Sequence, residues 1–237
     1  MSEQLTIVIP CKNEIGYLPN VLEILSKQED IKGTRIIIAD ANSTDGTREY
    51  IQQNKFQGIL NVEMIAGGHV AAARNAGLQL VTTPLVLFLD ADALLTNTAQ
   101  LKQCVEIFNS KQLHLMGAPV NGKEPYTLYG FIFFLFNVAN FFLKWIMPFA
   151  VGNFFLTRTD IIKQLGGFDE KAIHAEDFLL SMQYKAGKFG LSPYAILQDD
   201  RRFRKTGYFK FVGLSVLSFF MSWNKNFFYK DRGYWGK

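Results

Sequence analysis

The first 108 residues alternate between two hydrophobic periods, and that alternation restricts the fold more than any other feature. Apolar runs at 5–10, 35–40, 60–65 and 85–90 read as short buried strands, with helical patterns at 17–27, 44–54, 70–81 and 98–108. Uninterrupted apolar strands separated by helices belong in a parallel sheet covered on both faces. The expected fold class is α/β, a mostly parallel central sheet flanked by helices. Further strands are expected at 113–118 and 154–157, with helices from Asp160 and near Glu176.

The run ending at residue 90 carries the most chemistry. Pro84-Leu-Val-Leu-Phe-Leu-Asp-Ala-Asp92 takes an apolar strand straight into two carboxylates spaced i, i+2. Ligands of open α/β sheets collect outside the carboxyl ends of the strands. Asp90 and Asp92 are hard oxygen donors at such an end, which suits Mg²⁺ or Mn²⁺ carrying phosphates. Asp-x-Asp alone also fits carboxylates that simply terminate a strand.

Three other strand ends point the same way. Ile7-Val-Ile-Pro-Cys-Lys-Asn-Glu14 ends in a polar loop that brings Asn13 and Glu14 to the ligand edge, with Pro10 expected to stop ladder pairing. Ile36-Ile-Ile-Ala-Asp40 closes on a carboxylate able to accept a base N–H, and Asn42, Ser43 and Thr44 supply helix-capping oxygens. Gly67-Gly68-His69 precedes Ala71-Ala-Ala-Arg-Asn-Ala-Gly77, where Arg74 can pair with phosphate or with a strand-end carboxylate. Later, His174-Ala-Glu176-Asp177 opens an amphipathic helix. Its acids serve either as partners of the helix dipole or, near a phosphate site, as a general base.

Charge and composition bound the partners. The net charge is +4, but residues 201–237 hold nine Lys/Arg and one Asp, so the rest of the chain sums to −4. A basic tail on a mildly acidic body suits a polyanionic surface. No RNA-binding motif is present, and nucleic acid is not expected. Cys11 and Cys104 form neither a disulfide framework nor a metal-ligand spacing, and no signal peptide is read. A cytoplasmic setting is the expectation.

The 22 Phe are clustered. Residues 126–143 are eighteen without a formal charge, long enough to raise the question of a membrane span. A single crossing would place Asp92 and Asp177 on opposite sides of a bilayer, so an interfacial or hairpin insertion over 126–150 is favoured. The last segment sets Phe209, Phe211, Phe219, Phe220, Trp223, Phe227 and Phe228 beside cationic residues, a pattern suited to the headgroup region. Packing of the two Phe-rich stretches on each other, or a homo-oligomer patch, is the alternative.

Taken together, these pieces resemble a family 2 glycosyltransferase of the GT-A fold. The matching elements are the Ile-Pro-Cys-Lys-Asn-Glu loop, Ala-Asp-Ala-Asn-Ser-Thr-Asp-Gly-Thr, Ala-Arg-Asn-Ala-Gly and Phe-Leu-Asp-Ala-Asp. Val151-Gly-Asn-Phe-Phe-Leu, Gly166-Gly-Phe-Asp169 and His174-Ala-Glu-Asp177 support them. The resemblance covers about residues 5–205 and implies a GT-A domain over 1–205, followed by a basic aromatic membrane-surface segment over 206–237.

It further implies a donor site formed by Pro10, Asn13, Glu14, Asp40, Arg74, Asp90, Ala91 and Asp92. Asp40 would meet the nucleotide base, and Asp92, with Asp90, would hold Mg²⁺ or Mn²⁺. Asp177 would be the base in an inverting transfer. Gly152, Asn153 and Glu176 would border the sugar and acceptor pocket, and Arg201, Arg202 or Arg204 would offset diphosphate charge. Family members often carry a second acid where this chain has Ala41, which leaves UDP- and GDP-sugars both open. The Gln-x-x-Arg-Trp element of processive synthases has no clean match. The implied partners are a nucleotide-sugar donor, a hydroxyl or phosphate acceptor that could be lipid-linked, and the cytoplasmic face of a membrane. Two other readings stay open: a sugar-phosphate nucleotidyltransferase, for which the glycine-rich loop after the first strand is missing, and a non-catalytic membrane scaffold.

Overall fold

The computed structural model describes residues 1–123, 127–199, 201 and 207–231. Arg202, Arg204, Tyr126 and the side chains of Phe209 and Phe211 lie outside the described residues. Four strands, β1 (Leu5–Cys11), β2 (Arg35–Asp40), β3 (Asn61–Ala66) and β4 (Leu85–Leu89), run parallel. They alternate with helices α1 (Leu18–Ser26), α2 (Thr47–Gln52) and α3 (Val70–Leu80). A two-residue strand β5 (Leu94–Leu95) and α4 (Gln100–Ser110) follow, then β6 (Leu115–Gly117), β7 (Val120–Gly122) and α5 (Leu128–Leu143). The second half adds β8 (Phe154–Arg158), α6 (Thr159–Gln164), α7 (Glu176–Ser181), β9 (Phe189–Leu191) and β10 (Ile196–Gln198). The helices α8 (Tyr208–Phe220) and α9 (Lys225–Phe228) come last.

The main sheet has the order β3-β2-β1-β4-β8-β6-β9, with β8 antiparallel to both neighbours. Chain progression reverses between β1 and β4, so their carboxyl ends flank a topological switch point, where α/β sheets bind ligands. A smaller sheet, β5-β10-β7, stands beside it.

The strands are apolar throughout because both faces are covered. On β1, Leu5, Ile7, Ile9 and Cys11 face a core shared with α1 and α4, while Val8 faces a second core shared with α3 and α6. The same period of two divides Ile36 and Ile38 from Ile37, and Leu85, Leu87 and Leu89 from Val86 and Phe88. Small residues bring α3 onto the sheet: a Cβ at Gly77 would lie 2.4 Å from Val8 Cγ1.

Two expectations change. Pro10 does not end β1; it pairs in register with Ala39, and the strand runs on to Cys11. Pairing of β1 with β4 has stopped at Val8 and Phe88, so the proline's missing N–H falls on a side with no ladder to break. The C-terminal aromatic run is also divided. Phe227 and Phe228 are buried in a third core with Phe178 and Leu179 of α7, and the Phe228 carbonyl accepts from Ile173 N–H at 2.9 Å. These two rings are interior packing and do not reach a lipid surface.

Among the described residues no helix is long and apolar enough to cross a membrane. At 16 residues α5 reaches about 24 Å, short of the roughly 30 Å hydrocarbon core. Its asparagines dock it on the protein: Asn137 exchanges hydrogen bonds with the Val120 backbone at 2.9 and 2.8 Å, and Asn140 donates to the Phe149 carbonyl at 3.0 Å.

Candidate active site

The strand ends converge as loops laced to one another. Asn13 and Asn42 both adopt left-handed backbone, which asparagine tolerates. Asn13 N–H donates to Ser43 Oγ and its side-chain oxygen accepts from Thr44 N–H, each at 2.8 Å. Asp45 and Thr47 accept from the amides of Ile15 and Glu14. Asp40 is buried at the end of β2, where its carboxylate accepts from Ser43 N–H and Oγ–H and lies 3.5 Å from Arg48. Asp40 thus shapes the turn that follows β2. Cys11 and Cys104 are buried, and burial is the main cause that pushes their thiols up to about 12 and about 11.

Of the two kinds of partner open to Arg74, the structure has the carboxylates. Its guanidinium is 2% exposed, donates to Asp90 Oδ1 at 2.8 Å and to Glu176 Oε1 at 2.6 Å, and stacks over Phe168 at 5.2 Å. One arginine therefore ties the end of β4 to the start of α7. The rest of its motif serves the same joint. Asn75 accepts from Phe168 N–H and donates to the Phe168 carbonyl, clamping the Gly166-Gly167 turn, whose glycines both have positive φ. Gly152 completes it, since a Cβ there would stand 2.2 Å from Arg74 Nη2.

Asp177 sits beside this joint. Its Oδ2 accepts from Gly152 N–H at 2.6 Å and its Oδ1 from Phe178 N–H at 2.7 Å. Ser181 holds the Ala150 amide, so α7 fixes the 150–153 loop at two points. Burial, then the neighbouring Glu176 charge, pushes Asp177 up to about 6. Ala175, just before these acids, has φ of 56°, a strained conformation for alanine that is retained at the turn into α7. Asn153 is fully buried, donates to Gln198 at 3.0 Å, and keeps an Oδ1 with no hydrogen-bond partner among the described residues.

On the opposite side Asp92 is held differently from Asp90. Ala91 between them turns into the core, while Asp92 Oδ2 lies 2.8 Å from Arg201 Nη2. Arg201 also forms a forked pair with Glu14 at 2.9 and 2.7 Å. Of the residues read from sequence, Glu14, Asp92 and Arg201 form one cluster. Asp90, Arg74, Glu176, Asp177 and Gly152 form a second, and Asn13 and Asp40 belong to the loop lattice. Sequence reasoning passed over Tyr17, Lys123 and Asp199, which surround Arg201. Asp199 follows Ile196-Leu-Gln198, an apolar pair running into polar groups, the same signal as Asp90 but too short to read as a strand.

The model of glycosyl transferase family 2 matches residues 6–166. The chain belongs to this family. Within it, the chain is 24% identical over 197 residues to the O-antigen chain rhamnosyltransferase RfbN of Salmonella typhimurium, covering 78% of this chain and 62% of that protein. Two solved structures share the GT-A fold. Residues 1–349 of Staphylococcus aureus TarS, in complex with UDP, superpose with TM-score 0.65 at 19% identity, over 83% of this chain and 60% of that one. The mannosyltransferase PcManGT of Pyrobaculum calidifontis, in complex with GDP-Man and Mn²⁺, gives 0.66 at 19% identity, over 90% and 64%. The chain therefore spans less than two thirds of the length of RfbN and of each of these two solved chains.

The buried Arg74 joint predicts that Arg74→Leu, which strands two carboxylates without their cation, lowers stability by about 3–5 kcal/mol in urea unfolding. A loss under about 1 kcal/mol would contradict a joint at this arginine.

Proposed function

We propose that this family 2 member is an inverting, divalent-metal-dependent glycosyltransferase, taking a sugar from a UDP- or GDP-sugar to a hydroxyl or phosphate acceptor. The observation that carries the reading is the Asp90–Arg74–Glu176 bridge. It holds a strand end suited to a metal diphosphate and a helix start bearing a raised carboxyl, Asp177, on one cleft. The nucleotide sugars and Mn²⁺ named with the structural relatives support the same class of donor.

A resident metal fits the residues present. No cluster of three or more His, Cys, Asp or Glu that could hold an ion occurs among the described residues. Asp92, however, is a buried carboxylate already engaged by a cation, the Arg201 guanidinium. One or two carboxylates completed by substrate phosphates and water is how Mg²⁺ is commonly held. Bound through Asp92, with Asp90 nearby, the ion would supply Lewis-acid stabilisation of the diphosphate leaving group.

The chain's own groups perform the rest. Asp177, anchored by two backbone amides, takes the acceptor proton as the acceptor oxygen bonds to the anomeric carbon. The bond to the diphosphate oxygen breaks on the opposite face, which inverts the centre. Of the two adjacent acids, Glu176 is buried and tied to Arg74, which leaves Asp177 for the proton. Asn153 and Gly152 border the sugar, Asn13 and Asp40 the base, and Arg201 the diphosphate charge.

Residues 1–205 would form the catalytic domain, with residues 206–237 helping to hold it at the cytoplasmic face of a membrane. The exposed apolar residues support that placement. Phe142, Trp145, Ile146 and Trp223 are 69%, 71%, 80% and 79% exposed, close to Lys144 and Lys225. A lipid-linked acceptor would meet such a surface directly.

Incubation with UDP- and GDP-sugars and Mn²⁺ is expected to release the nucleoside diphosphate from one donor, and no release from any would overturn the reading. Asp177→Asn is expected to cut transfer by about 10²–10⁴-fold with folding intact. Because the base must be ionised, kcat/KM in the wild type rises with pH through about 6 and is level above it. Sedimentation with anionic vesicles is expected to carry the protein down, and Trp145→Glu with Trp223→Glu to leave it in solution. Equal recovery of the variant in the pellet would refute the lipid-facing assignment.

A further inference from the structure

The mouth of the cleft already contains a cation, and it is built from the chain. Arg201 Nη1 and Nη2 reach the two oxygens of Glu14 at 2.9 and 2.7 Å, and Nη2 also lies 2.8 Å from Asp92 Oδ2. The guanidinium rests 4.3 Å over the Tyr17 ring, which Lys123 approaches at 5.4 Å. Asp199 secures the base of the residue by accepting its backbone N–H at 2.8 Å, and also pairs with Lys123 at 3.6 Å. Glu14, Asp92 and Tyr17 thus converge on one side chain that is itself about one third exposed, while Asp199 holds its backbone.

This geometry creates a competition. Two carboxylates at the ends of different strands need a nearby positive charge to stay ionised together. A divalent ion on Asp92 would supply it, but it cannot share the oxygen 2.8 Å from Arg201 without strong repulsion. A nucleoside diphosphate changes the balance, because its negative oxygens offer the guanidinium a second planar, forked partner. We infer that Arg201 is the stand-in cation of the donor-free cleft: it holds Glu14 and Asp92 until metal and nucleotide arrive together, then leaves Asp92 for the diphosphate. The inference rests on the reading of Asp92 as the metal carboxylate. It adds that the empty enzyme resists metal alone and that metal and nucleotide bind as a coupled pair, each strengthening the other by the same factor.

The test is Mn²⁺ titration of the full chain, followed by the electron paramagnetic resonance signal of free Mn²⁺ at constant ionic strength. It is run without nucleotide and with UDP or GDP, on wild type, Arg201→Gln and Arg201→Lys. Wild type is expected to bind Mn²⁺ weakly alone and at least about tenfold more tightly with the accepted nucleotide. Arg201→Gln is expected to bind Mn²⁺ alone about tenfold more tightly than wild type and to lose most of the nucleotide coupling. Arg201→Lys keeps the charge without the fork and should fall between. Mn²⁺ affinity of Arg201→Gln equal to or below that of wild type, without nucleotide, would overturn the inference. Gain of Mn²⁺ affinity in Arg201→Gln with no nucleotide coupling in any protein would support the stand-in cation and sink the donor-site reading instead.

Discussion

Arg74 is the residue on which the cleft depends. A guanidinium removed from water is costly, and this one is retained because Asp90 and Glu176 meet it from either side while Phe168 covers its face. Those two acids are far apart in sequence and sit on unrelated elements, one ending a central strand and one opening a short helix. The shared arginine fixes their separation, and with it the position of Asp177 relative to Asp92. Its neighbours are selected for the same purpose: Gly152 leaves room for Nη2, Asn75 clamps the turn that carries Phe168, and Gly77 lets α3 lie close on β1.

The two sides of the cleft handle charge in opposite ways. Around Arg74 the pairing is buried and joins β4 to α7. Around Arg201 the pairing is partly exposed, with the arginine about one third accessible and Asp92 buried. The sheet reverses between β1 and β4, and the third core packs under α7, which carries Glu176 and Asp177. The Phe227 and Phe228 rings complete that core, so the C-terminal segment supports α7 while Phe219, Phe220 and Trp223 are exposed.

Much of this was legible in the sequence, for a physical reason. Strands buried on both faces leave uninterrupted apolar runs, and β1 to β4 appear within a residue or two of where those runs stand. Residues that terminate such runs lie on the ligand edge by topology, which is why Glu14, Asp40, Asp90 and Asp92 could be named before any coordinates. The small sheet was not legible, because β5, β7 and β10 are two or three residues long and depend on tertiary pairing. Asp199 escaped notice with it. Composition could not separate the buried rings of Phe227 and Phe228 from the exposed ring of Trp223, since all three share one aromatic run and differ only in what α7 places beneath them. The partner of Arg74 was equally out of reach, because phosphate and carboxylate make the same demand on an arginine.

The proposed function makes Asp92 the mark of a metal-dependent nucleoside-diphosphate site at the reversal of the sheet. Calorimetric titration of UDP and GDP, each with and without Mn²⁺, into wild type and Asp92→Ala tests it most directly. Mn²⁺-dependent binding of one nucleotide by wild type, lost in Asp92→Ala while the fold is retained, is the expected result. Binding of neither nucleotide under any condition, or binding that is indifferent to both Mn²⁺ and Asp92, would contradict it.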